Sequence, residues 1–193
     1  KPLWTPEHYS STTGTIAGWW KADTIYDKAD GAAITSIDDD SDNSNTLTSS
    51  TVSLSLRRIN GLSMIDMTDS HASTGDKMLA ADDNSIDLGT DPFEMYILWT
   101  PAWIVNQDLT GMLMDKRPEQ NNGYQFTINS AAGSRSPTLK LGLSAAGVFR
   151  SGTDLTFNSL VNDQPYLSSV VRNPSDIPAF FNNGTAYGTG LAL

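Results

Sequence analysis

Cysteine is absent from all 193 residues. Disulfide scaffolds, zinc–thiolate sites and thiol nucleophiles are therefore excluded. Histidine is nearly absent: His8 and His71 are the only two, and neither has an acid and a nucleophile spaced to form a triad. Glutamate is also scarce, with Glu7, Glu94 and Glu119 each isolated among nineteen aspartates. Gly-x-Ser-x-Gly, phosphate-binding glycine loops and paired metal-binding histidines are missing as well. The expectation is a protein that is not an enzyme.

Basic charge is in short supply. Lys and Arg number 12 against 22 Asp and Glu, a net charge of -10. Such a balance repels polyphosphate and anionic lipid, so neither nucleic acid nor a membrane surface is an expected partner. No apolar run approaches the ~18 residues of a membrane-spanning helix, and no charged-then-apolar signal segment opens the chain, whose first residue is Lys.

What is abundant is turn chemistry. Asp, Asn, Ser, Thr and Gly disfavour helix interiors and favour turns, which predicts many short strands and little or no helix. The length suits one sizeable core. Residues 1–14, with Pro2, Pro6 and the Ser10-Ser11-Thr12-Thr13 run, read as an extended arm; residues 15–193 read as a single β domain. Trp4 and Tyr9 are large apolar groups for an arm. They either pack back onto their own domain or serve as assembly contacts to a neighbouring subunit.

Strands are expected over 16–21, 33–37, 63–67 and 77–80. The strongest is 93–100, where Phe93, Met95, Ile97 and Trp99 share one face and Glu94, Tyr96, Leu98 and Thr100 the other. Both faces are largely apolar, the pattern of a central strand. Further strands follow at 111–116, 124–129, 138–143, 147–150, 155–157 and 166–172. Asn121-Asn122-Gly123 and Asn182-Asn183-Gly184 are hairpin turns, because Asn and Gly tolerate positive φ. In Trp19-Trp20 the rings of a strand would point to opposite faces, one into a core and one outward. Trp19 and Trp99 are the expected core tryptophans.

The acidic stretch Ser36 to Asn45 is the best candidate for a bound ion. Asp38, Asp40 and Asp42 alternate in a loop, a spacing that can gather oxygens around calcium. The EF-hand pattern fails, since Asn43 stands where its Gly belongs and Ser49 where its bidentate Glu belongs. A solvated acidic turn is the competing reading.

The order Gly18-Trp19-Trp20-Lys21-Ala22-Asp23, then Ile34 to Ser41 with Asn43 and Asn45, then Asn60 to Met67, resembles the concanavalin A-like, laminin-G-type jelly rolls. Those modules carry a tryptophan-aspartate opening strand, a W-x-D-x-S-G-x-x-N loop and an N-G-x-P-x-x-x-F-x-G segment. Here Ile37 replaces the loop tryptophan, Asp42 the loop glycine, and Met67-Thr68 the Phe-Gly turn. The likeness covers about the first 80 residues; Ala179 to Thr185 also resembles a strand-and-turn of these folds. It implies a two-sheet antiparallel jelly-roll sandwich with its last strands rearranged, supplied by a neighbour, or belonging to a longer chain. Glucanases of this fold carry a Glu-x-Asp-x-Glu strand, which is missing here.

Bacterial secreted proteins and phage virion proteins carry such modules. Two functions are therefore expected. One is a virion structural protein, a decoration or head/tail appendage at the virion surface that contacts capsid subunits and copies of itself. The other is a secreted or cell-surface carbohydrate-binding module. There Trp20, Trp103 or Tyr187 would stack on a glycan, with Asp and Asn binding hydroxyls directly or through calcium.

Overall fold

The computed structural model describes residues 15–49, 54–59, 61–66, 78–81, 83–87, 92–101, 109–116, 124–130, 138–145, 148–151, 155–156, 161, 163–172 and 178–189. Apart from two 3-10 turns, Ala22–Ile25 and Asn84–Ile86, the regular structure among these residues is β-strand. All named strand pairings are antiparallel. The protein is all-β. Its contacts fall into two compact units, Lys1–Ile86 and Asp87–Leu193, a division lying inside the 15–193 span expected as one domain.

The first unit holds two small sheets. Strands β1 (Ala33–Ile34), β4 (Leu54–Ile59) and β5 (Leu62–Asp66) form one. Strands β2 (Ser36–Ile37), β3 (Leu47–Ser49) and β6 (Met78–Leu79) form the other. The single strand expected over 33–37 is therefore two half-strands that join different sheets. Ile34 pairs with Leu54, whereas Ile37 pairs with Leu47. In an unbroken strand, residues three apart point to opposite faces. The break at Thr35 turns both isoleucines inward, and both are buried.

Ile34 and Ile37 join Ile25, Leu54 and Leu56 in the core of this unit, with Trp20, Leu47, Ile65 and Met78 packed around them. Each fully buried Ile or Leu contributes roughly 1.5–3 kcal/mol relative to exposure. The β4–β5 hairpin closes at Gly61, whose φ of 81° is the left-handed conformation such two-residue turns require.

The second unit also holds two sheets. One places β15 (Thr185–Thr189), β14 (Pro178–Asn182), β13 (Tyr166–Arg172) and β7 (Phe93–Trp99) side by side in that order. The other is a meander of β8 (Leu109–Lys116), β9 (Tyr124–Ser130), β10 (Thr138–Ala145) and β11 (Val148–Ser151). Strand β12 (Leu155–Thr156) pairs with the other end of β10, its register displaced by one residue from that of β11.

The alternation along β7 is as the sequence predicts: Phe93, Met95 and Trp99 are buried while Glu94, Tyr96 and Leu98 are exposed. Among the described residues β7 ends its sheet, with β13 on one side, where a central strand was expected. Its apolar second face meets no described strand. The Asn182-Asn183-Gly184 turn forms as expected, with Asn183 at φ 49° and Gly184 at φ 75° closing β14 onto β15. The Asn121-Asn122-Gly123 turn lies outside the described residues.

The Asp39 clasp as candidate functional site

Residues 16–21 do not form the expected strand, and the backbone bends at Ala17. A single bridge joins Trp20 to Asp39. The groups that hold this segment are chiefly side chains from the acidic loop, so no repeating ladder develops.

Asp39 is the centre of that arrangement. Its Oδ1 accepts the backbone N–H of Trp19 at 2.7 Å and that of Ser41 at 2.9 Å. Its Oδ2 accepts the Ser41 hydroxyl at 2.7 Å and the Asn45 backbone N–H at 2.9 Å. The Asp40 N–H returns a bond to Trp19 O at 2.8 Å. Two asparagines complete the grip. Asn43 donates its Nδ2 to Ile16 O at 2.8 Å, and Asn45 donates its own to Ala17 O at 3.1 Å and to Ser85 Oγ at 2.8 Å.

Asn45 is buried, at 7% exposure, and its backbone carbonyl accepts the Trp20 indole N–H at 2.6 Å. The Nδ2 group of the buried Asn45 side chain bonds both Ala17 and Ser85, and a buried donor left unmatched would cost about 1–3 kcal/mol. The Trp20 ring lies over Gly18, packs against the core cluster and is only partly exposed. A methyl group at position 18 would collide with that ring. Trp19, the expected core residue, instead lies under the Lys21 ammonium, 4.4 Å from the ring centroid. Lys21 also pairs with Asp40.

Partial burial is the largest influence on Asp39 and works to raise its pKa. The bonds from Trp19, Ser41 and Asn45 together outweigh it and hold the carboxyl below its ordinary value. A carboxylate has about four lone-pair positions, and all are occupied here. Asp39 thus has no lone pair left for a metal or a substrate proton.

The alternating aspartates are not brought together. Asp38 and Asp42 are exposed, Asp40 is turned to Lys21, and among the described residues no three His, Cys, Asp or Glu side chains converge on a metal position. Of the glycan candidates, Trp20 sits against the core, Trp103 lies outside the described residues, and Tyr187 lies in β15 with its side chain outside them. Trp4, Tyr9, His8 and His71 also fall outside the described residues. The residues that matter most here, Asp39, Ser41 and Asn45, occupy the D, S and N positions of the W-x-D-x-S-G-x-x-N pattern. That spacing is the signal for them in the sequence.

No family model, curated protein or solved structure gives a significant match to this chain.

Proposed function

We propose that this chain is a non-enzymatic structural protein built on a jelly-roll sandwich, serving as a decoration or appendage at a virion surface. The observation that carries the reading is the Asp39 clasp. The carboxylate loop that most resembles a reactive centre spends its acceptors on the chain's own backbone, tying residues 16–21 to the first unit. Chemistry of this kind holds a fold without using cysteine. Two antiparallel sheets in each unit support a sandwich architecture. The resemblance of the loop and opening segment to modules carried on virions supports the setting.

Mass spectrometry of purified particles tests the proposal. The chain is expected in fixed stoichiometry with the main shell protein; its absence from every particle would sink the reading. A carbohydrate-binding module is the competing class, with Trp103, Tyr187 or the partly exposed Trp20 as platforms. Binding on a glycan array that disappears with a calcium chelator would favour that class.

A further inference from the structure

The buried face of the β15-β14-β13-β7 sheet sets two polar side chains among apolar ones. Ser168 is 0% exposed and Asn182 is 9% exposed, and the two are direct partners across β13 and β14, beside the fully buried pair Val170 and Phe180. Side chains of such partners share one face of a sheet. One step along the ladder the Asn183 N–H donates to Leu167 O at 2.8 Å. Ser168 and Asn182 therefore form the narrow, non-hydrogen-bonded kind of pair, in which side chains approach most closely.

Despite that proximity, Asn182 Oδ1 is buried with no hydrogen-bond partner among the described residues. Ser168 Oγ accepts the Trp99 indole N–H at 2.9 Å and, being a hydroxyl, still carries a hydrogen to donate. A buried acceptor thus stands beside a buried donor without a direct bond between them. Native proteins rarely leave an amide oxygen in this condition, and ordered water is the common way in which it is matched.

The flanking strands select what can bind there. Opposite Ser168 on β7 is the half-buried Ile97, and opposite Asn182 on β15 is the exposed hydroxyl residue Thr185. The row formed by these four residues reaches solvent at its Thr185 end. It carries no carboxylate, so a cation would find too few oxygens. An apolar guest would leave both polar groups unmatched. A small neutral group that accepts one hydrogen and donates another satisfies both.

We infer that Ser168 and Asn182 hold an internal water molecule, which accepts the Ser168 O–H and donates to Asn182 Oδ1. The hydrogen bonds then run without a break across three strands, from Trp99 on β7 through Ser168 on β13 to Asn182 on β14. Bonds in such a chain polarise and strengthen one another, giving a sheet without disulfides an internal tie. The inference concerns the second unit alone and does not rest on the virion reading.

A crystal structure of the full chain that resolves ordered water is the direct test. A peak about 2.6–3.2 Å from both Ser168 Oγ and Asn182 Oδ1 is expected. A well-ordered pair without that peak, or an Asn182 amide turned to bond Ser168 directly, overturns the inference. Urea titration is the independent test in solution. Asn182→Leu removes the acceptor together with its water, and is expected to lower the folding equilibrium constant about tenfold by leaving the Ser168 hydrogen buried and unmatched. An amide oxygen that held no water would make the same change neutral or stabilising, and that result overturns the inference. Combined with Ser168→Ala, Asn182→Leu should lose less than the sum of the two single losses, because both groups share one water. Strictly additive losses also overturn it.

Discussion

The Asp39 carboxylate accepts the backbone N–H of Trp19, twenty residues earlier in the chain, at 2.7 Å. That bond joins the acidic loop to the Gly-Trp-Trp segment and sets what both can do. A carboxylate in this position must be ionised to accept four donors, which makes the first unit sensitive to acid.

The pH dependence of stability follows from the lowered pKa of Asp39. A carboxyl whose folded pKa lies below its unfolded value of about 3.9 contributes fully above that value. The contribution is lost as pH falls below it and through the lower folded pKa. Denaturant midpoints followed by tryptophan fluorescence should therefore be flat near neutrality and fall below about pH 4. Asp39→Asn should lower stability by about 2 kcal/mol near neutrality, because the amide cannot accept every donor, and should flatten the acid limb. A variant whose acid limb matches the original would show that Asp39 is not responsible.

Gly18→Ala tests the packing of Trp20. The added methyl meets the indole ring, so the ring or the segment must shift, at a cost of about 1–3 kcal/mol. Gly31→Ala is the contrast. Nothing lies near its added methyl, and the cost there comes from the backbone alone, at φ 78°, or about 1 kcal/mol. Thermal unfolding of the two variants should rank Gly18→Ala as the more damaging, with a change in tryptophan emission that Gly31→Ala lacks.

In the second unit the Trp99 indole N–H donates to Ser168 Oγ at 2.9 Å, and Ser168 is 0% exposed. Ser168→Ala should cost about 1–3 kcal/mol by leaving a buried donor unmatched. Adding Trp99→Phe removes the donor, so the double variant should lose less than the sum of the two single losses. Urea titrations of the four chains measure the coupling, and strictly additive losses would show that the bond contributes nothing.

The alternation along β7 and the Asn183-Gly184 turn were legible because each depends on neighbours within the same few residues. Side-chain period is a property of an extended backbone, and positive φ is a property of Asn and Gly. β4 carries a similar signal, with Leu54 and Leu56 buried on one side, although it is not among the expected strands. The pairing of β7 with β13 at the end of the described sheet was not legible, since alternation states which residues share a face and not which strands lie alongside.

The sequence by itself determined an all-β chain without thiol chemistry, strongly acidic and rich in turns, and it marked the 36–45 loop as unusual. Only the tertiary structure decided what that loop does. Asp38, Asp39, Asp40 and Asp42 have one chemistry and nearly one address, so composition and their alternation could not rank them. Their places were set by partners brought in from afar, Trp19 and Asn45 on Asp39 and Lys21 on Asp40, while Asp38 and Asp42 are exposed. In the same way Trp20 packs against the core cluster with its indole N–H on the Asn45 backbone carbonyl, whereas the Trp19 ring lies under Lys21.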